Sequence, residues 1–142
     1  MLVLGILASK DRKLISASPD TTVAEIVKML HGNNVGAVLI MRGKELLGVL
    51  SERGIVRAMA LNPQGVRAMA ASAAMRPLEC HISPDAAIED AMEMMTRYRV
   101  RYLPVMEGGD LIGLISIGDV VKAQLGTRAT EVESLTSYIA GA

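Results

Sequence analysis

Ser116 and Asp119 stand three residues apart, where the apolar run Leu111 to Ser116 gives way to a helical pattern. A hydroxyl at such a turn can donate to a phosphate oxygen, and a carboxylate in the first helical turn can accept from both hydroxyls of a vicinal diol. The plainer reading of the pair is a helix cap, because Ser and Asp are preferred at that position. The two roles are compatible. Other site chemistry is poorly supplied. Nucleophilic catalysis needs Ser or Cys beside His and a carboxylate, and the chain holds only His31, His81 and Cys80 of those rarer types. His31 ends a helical pattern, where a cation suits the helix dipole. Cys80 falls on an extended stretch as a small apolar filler. Their spacing fits no zinc site, no glycine-rich phosphate loop is present, and the carboxylates are scattered over helix faces. No enzymatic activity, metal or catalytic cofactor is expected.

Composition narrows the partners. Fifteen basic and fifteen acidic residues cancel, so no broad attraction to nucleic acid or to an acidic membrane is expected. Three Tyr with no Phe or Trp offer almost no faces for bases to stack on. No apolar run reaches the roughly 18 residues of a membrane span. The apolar start, Met1 to Ala8, lacks a basic flank and is cut short by Lys10, which argues against a signal peptide. A lone Cys80 cannot form an internal disulfide, so a cytoplasmic protein is expected. Half of the 142 residues are hydrophobic, enough for an aliphatic core in which Met fills irregular gaps.

The elements that carry Ser116 and Asp119 occur twice. Ser18-Pro19-Asp20 matches Ser83-Pro84-Asp85, 65 residues on. The same offset pairs Met29 with Met94, Val35 with Val100, Gly43 with Gly108, Gly48 with Gly113, Ser51 with Ser116 and Val56 with Val121. A register kept across glycines, prolines and the apolar pattern marks an internal duplication. Each copy reads β-α-β-β-α. In the first, Leu14 to Ala17 is extended, and Thr22 to Glu25 is a capping box opening a helix that ends near Gly32-Asn33. Val35 to Met41 is a buried strand, Arg42 to Glu45 a hairpin turn, Leu46 to Ser51 a strand and Glu52 to Ala60 a helix. The second copy predicts a helix over Ile88 to Arg97, strands over Val100 to Met106 and Leu111 to Ser116, and a helix over Asp119 to Leu125. Thr130 to Glu133 reads as one more capping box, opening an amphipathic helix with Val132, Leu135 and Ile139 on one face. The expected divisions are residues 1–62, residues 63–126 with a linker helix, and a C-terminal helix over 127–142.

This duplicated set resembles a tandem cystathionine-β-synthase (CBS) domain pair, the Bateman module, of the small stand-alone bacterial type. The likeness rests on Val100-Arg101-Tyr102-Leu103-Pro104-Val105, on Gly113-Leu114-Ile115-Ser116-Ile117-Gly118-Asp119-Val120, and on Gly48-Val49-Leu50-Ser51-Glu52-Arg53-Gly54-Ile55 in the first copy. It implies an α+β fold of two units packed as a pseudo-twofold pair, a C-terminal helix, and a homodimer regulating another protein. It also implies an adenine nucleotide (AMP, ADP, ATP or NAD) or an S-adenosyl compound held in clefts between the copies, without catalysis. The alternative is a ligand-free dimerisation or interaction module.

The resemblance assigns one cleft to Asp119 and Ser116, with Lys10, Ile15, Val35, Gly36, Ala37, Arg101, Tyr102 and Ile117. Arg101 would meet phosphate; alternatively it belongs to a solvated run with Arg97 and Arg99. The second cleft would use Ser51, Arg53, Arg76, Cys80, His81 and Val100. Position 54 there is Gly, so no carboxylate can hold a ribose, and the second site is expected to be weaker.

Overall fold

A computed structural model describes residues 1–10 and 14–141, the side chains at 130, 131, 138, 140 and 141 excepted. The fold is α+β, with the duplication visible element by element. Helices α2 (Val23–Asn33) and α5 (Ile88–Tyr98) match at the repeat offset, as do strands β2 (Ala37–Arg42) and β5 (Tyr102–Glu107), and β3 (Glu45–Ser51) and β6 (Asp110–Ser116). Both hairpins carry a register irregularity at the same place, Ile40/Met41 and Val105/Met106. Thr22 caps α2 by accepting from the Glu25 N–H at 3.3 Å. Both α2 and α5 end on a residue in the left-handed region, Asn34 and Arg99, the usual way to satisfy last-turn carbonyls. The second hairpin turns on Gly108 and Gly109, both at positive φ, the conformation that tight two-residue turns require.

The chain divides into two compact units. One is Lys13–Glu79. Its sheet has the order β1-β2-β3-β4, with β1 (Ser16–Ala17) parallel to β2 and β4 (Arg76–Pro77) antiparallel to β3. Helices α2 and α3 (Glu52–Leu61), a 3-10 turn at Val66–Ala68 and the short α4 (Ala71–Ala74) complete it. Its core holds Ile26, Leu30, Val38, Ile40, Leu50 and Ala71. A smaller cluster joins Val23, Ala58 and Val66.

The other unit is Met1–Arg12 with Cys80–Ala142. Helix α1 (Val3–Ser9) buries Val3, Ile6 and Leu7 against Ile88, Leu103, Ile115 and Val120. Its backbone is tied by Val3 N–H to Ala86 O at 2.9 Å and Leu4 N–H to Pro84 O at 3.0 Å. Gly113 lets α1 approach β6, since a Cβ there would lie 2.5 Å from Leu7 Cδ2. The equivalent of β1 is reduced to one parallel bridge, Ile82 to Val105. In the Lys13–Glu79 unit, α4 is held in turn by Ala71 N–H to Thr21 O at 2.7 Å and Ser72 N–H to Pro19 O at 3.0 Å. The spatial partition thus departs from the expected boundary at residues 62/63. The inter-repeat helix completes the first copy, and the N-terminal helix completes the second.

The last helix also differs from expectation. Helix α6 runs unbroken over Ile117–Gly141, so neither a stop near Leu125 nor a new helix start at Thr130 is present. A single Gly126 costs a helix about 1 kcal/mol without ending it. Val132, Leu135 and Ile139 are exposed, so no described residue covers the apolar face expected of this segment. Among the described residues no helix is long and apolar enough to cross a membrane.

Candidate functional site

Strand β6 ends at Ser116 and α6 begins on the next residue, which places Ser116 as cap and Asp119 in the first turn. Asp119 Oδ2 accepts from the Ser116 N–H at 2.8 Å, and Ser116 Oγ accepts from the Asp119 N–H at 3.1 Å. This is a capping box with Asp in the Glu position, so the structural role of the pair is present. A third group joins it. Lys10, which follows α1, donates from Nζ to Asp119 Oδ2 at 2.7 Å and to Leu114 O at 2.9 Å. Burial pushes the Asp119 carboxyl up, but hydrogen bonds from Lys10 and Ser116 and the charge of Lys10 outweigh it, holding the group below the ordinary 3.8. Both anchoring bonds fall on Oδ2; no described residue donates to Oδ1. The arrangement is a fixed, ionised acceptor with one oxygen still available.

The other unit repeats the turn without the equivalents of Asp119 and Lys10. Ser51 Oγ accepts from the Gly54 N–H at 3.3 Å. Glu52 N–H reaches Gly36 O at 3.0 Å, as Ile117 N–H reaches Arg101 O at 2.8 Å. Gly54 is tightly packed: a Cβ would lie 3.0 Å from Leu50 Cδ1 and 3.4 Å from the Ala74 carbonyl oxygen. Met75 follows α4 with extended backbone, as Lys10 follows α1. The positions of Asp119 and Lys10 are thus taken here by the uncharged Gly54 and Met75, although Glu52 lies in the first turn of α3.

The residues expected at the two clefts divide between the units. Lys10, Arg101, Tyr102, Ser116, Ile117 and Asp119 lie in one, together with Cys80, His81 and Val100. Arg101 and His81 are exposed there, Tyr102 is half-buried, and Cys80 and Val100 pack on the core. Ile15, Val35, Gly36, Ala37, Ser51, Arg53 and Arg76 lie in the other. Ile15 and Val35 pack on its core, Ala37 is buried and Arg53 is exposed. Arg76 Nη2 pairs with Glu79 Oε2 at 3.2 Å. The structure brings Lys10, Ser116 and Asp119 together, by the bonds given above. The Lys10–Asp119 pair spans 109 positions, and no local spacing signals it. Sequence reading also missed a groove of about 360 Å³ between α2 and α3, lined by Val27, Leu30, His31, Asn34, Glu52 and Ile55 with Val35. Among the described residues no cluster of His, Cys, Asp and Glu could hold a metal ion.

Comparison with known proteins agrees with the duplication. The CBS domain family model matches residues 7–61 and again 71–126. The crystal structure of a CBS-domain-containing protein from Agrobacterium tumefaciens is 34% identical, with a TM-score of 0.84 over 87% of this chain and 99% of that one. The mitochondrial CBS-domain-containing protein CBSX3 of Arabidopsis thaliana is 30% identical, covering 94% of this chain and 67% of its own length. A more distant structure, CBSX2 in complex with AMP, shares the fold at 22% identity and a TM-score of 0.73, over 89% of this chain and 98% of its own.

Proposed function

This chain belongs to the CBS domain family as a tandem pair, and on that premise we propose that it is a non-catalytic regulatory sensor of adenine nucleotides. The observation that carries the reading is the Asp119 carboxylate, ionised and anchored through Oδ2, with no described residue donating to Oδ1. A ribose diol needs such an acceptor, and fixing it beforehand lowers the ordering cost of binding. The neighbour that binds AMP supports the ligand class. AMP, ADP, ATP and NAD share the adenosine ribose that Asp119 would hold. Arg101, exposed beside the turn, supplies a cation for phosphate. The Gly54 turn, with Gly54 and Met75 at the positions of Asp119 and Lys10, is the weaker site. The reading includes a regulated protein, not identified by the sequence, and a cytoplasmic location.

A melting-temperature series with AMP, ADP, ATP, NAD and S-adenosylmethionine tests this. One ligand is expected to raise Tm saturably, by about 5–10 °C at one hundred times its Kd. Asp119→Ala should remove the ligand-induced increment whatever its own starting Tm. No increment with any ligand would leave the interaction-module reading, and steady consumption of the ligand would point to an enzyme.

The reading includes a homodimer. Val56, Met59 and Leu61 on α3, and Val121, Leu125, Val132, Leu135 and Ile139 on α6, are exposed apolar side chains that a second copy would cover. Light scattering at micromolar concentration should give twice the 15.1 kDa chain mass. A monomer at that concentration would refute the dimer.

A further inference from the structure

A carboxylate suits a ribose diol but repels the phosphate carried by the same ribose, which lies within roughly a Debye length of it (~8 Å). Lys10 addresses this conflict. Its ammonium sits 2.7 Å from Asp119 Oδ2, on the oxygen that Ser116 also holds, and among the described residues nothing donates to Oδ1. The pair offers an acceptor with little net charge. The repeat supplies an internal comparison: where Asp119 is replaced by Gly54, the residue standing in for Lys10 is Met75. Acceptor and cation are present together or absent together.

Resting on the sensor reading above, we propose that Lys10 is a specificity-determining residue that admits phosphorylated adenosines to Asp119 by cancelling its charge. It acts through the carboxylate rather than by gripping phosphate. Without it, the site would favour uncharged adenosine compounds.

Calorimetry with adenosine, AMP, ADP and ATP on the full chain tests this in wild type, Lys10→Met, Lys10→Arg, Asp119→Asn and the Lys10→Met/Asp119→Asn double variant. Lys10→Met should cost affinity in order of ligand charge, least for adenosine, roughly tenfold more for AMP and more again for ATP. Lys10→Arg should keep the wild-type order. The double variant is neutral, as the wild-type pair is, so it should restore the wild-type ratio of AMP to adenosine affinity that Lys10→Met lowers. An equal loss for all four ligands, or no loss, overturns the inference. A double variant whose AMP to adenosine ratio stays as low as that of Lys10→Met also overturns it, in favour of direct phosphate contact. If wild type binds none of the four, the sensor reading itself fails and this inference with it; wild-type binding followed by any of the other contrary results overturns the inference alone.

Discussion

At the scale of the residue, Asp119 serves the fold and the proposed site at once. Because Lys10 and Ser116 hold its folded pKa below 3.8, its charge contributes stability that is complete above the unfolded value and is lost as pH falls through the folded one. Asn at this position keeps an oxygen for the Ser116 N–H but cannot carry the charge. In urea titrations the stability gap between wild type and Asp119→Asn should stay constant from pH 7 to about pH 5 and close below about pH 4. A gap unchanged at about pH 3, or closing already near pH 6, would contradict the ion pair. Ser116 and Asp119 were legible in the sequence because a capping box is local, three residues long. The contact with Lys10 was not, because the intervening chain encodes it only through the packing of α1. Residue type and spacing offered the acceptor or a cap, and the resemblance put Lys10 in the same cleft; the ion pair between them is a feature of the tertiary structure.

At the scale of the element, strands, hairpins and the first helix of each copy followed their apolar patterns closely. Val23, Ile26 and Leu30 are buried along one face of α2, as helical spacing demanded. The failures have physical causes. Helix α6 continues past Gly126 because nothing nearby breaks it: no Pro follows, and the glycine is a modest penalty in a long helix. The sequence shows α1 only as an apolar start, since seven residues are too few to display a period. Its burial makes a sharp expectation. Ile6, 3% exposed in the core with Ile88 and Leu103, should cost roughly 2–5 kcal/mol when cut to Ala. Hydrogen exchange should then rise across β5 and β6 while β2 and β3 keep their protection. Faster exchange in β2 and β3 alone would show that α1 supports the first copy instead.

At the scale of the whole molecule, each unit is completed by the helix that precedes the other copy. Unit Lys13–Glu79 is one unbroken stretch of chain inserted into the other unit. Its entry strand β1 and exit strand β4 lie on opposite edges of a four-stranded sheet, about 14 Å apart at the usual strand spacing. An unfolded stretch of that length would separate its ends by roughly 40 Å or more. Folding the insert therefore draws α1 towards the residues that will enclose it and shortens the loop its host must close. The host gains stability from its guest through chain connectivity, a thermodynamic coupling that requires no contact between them.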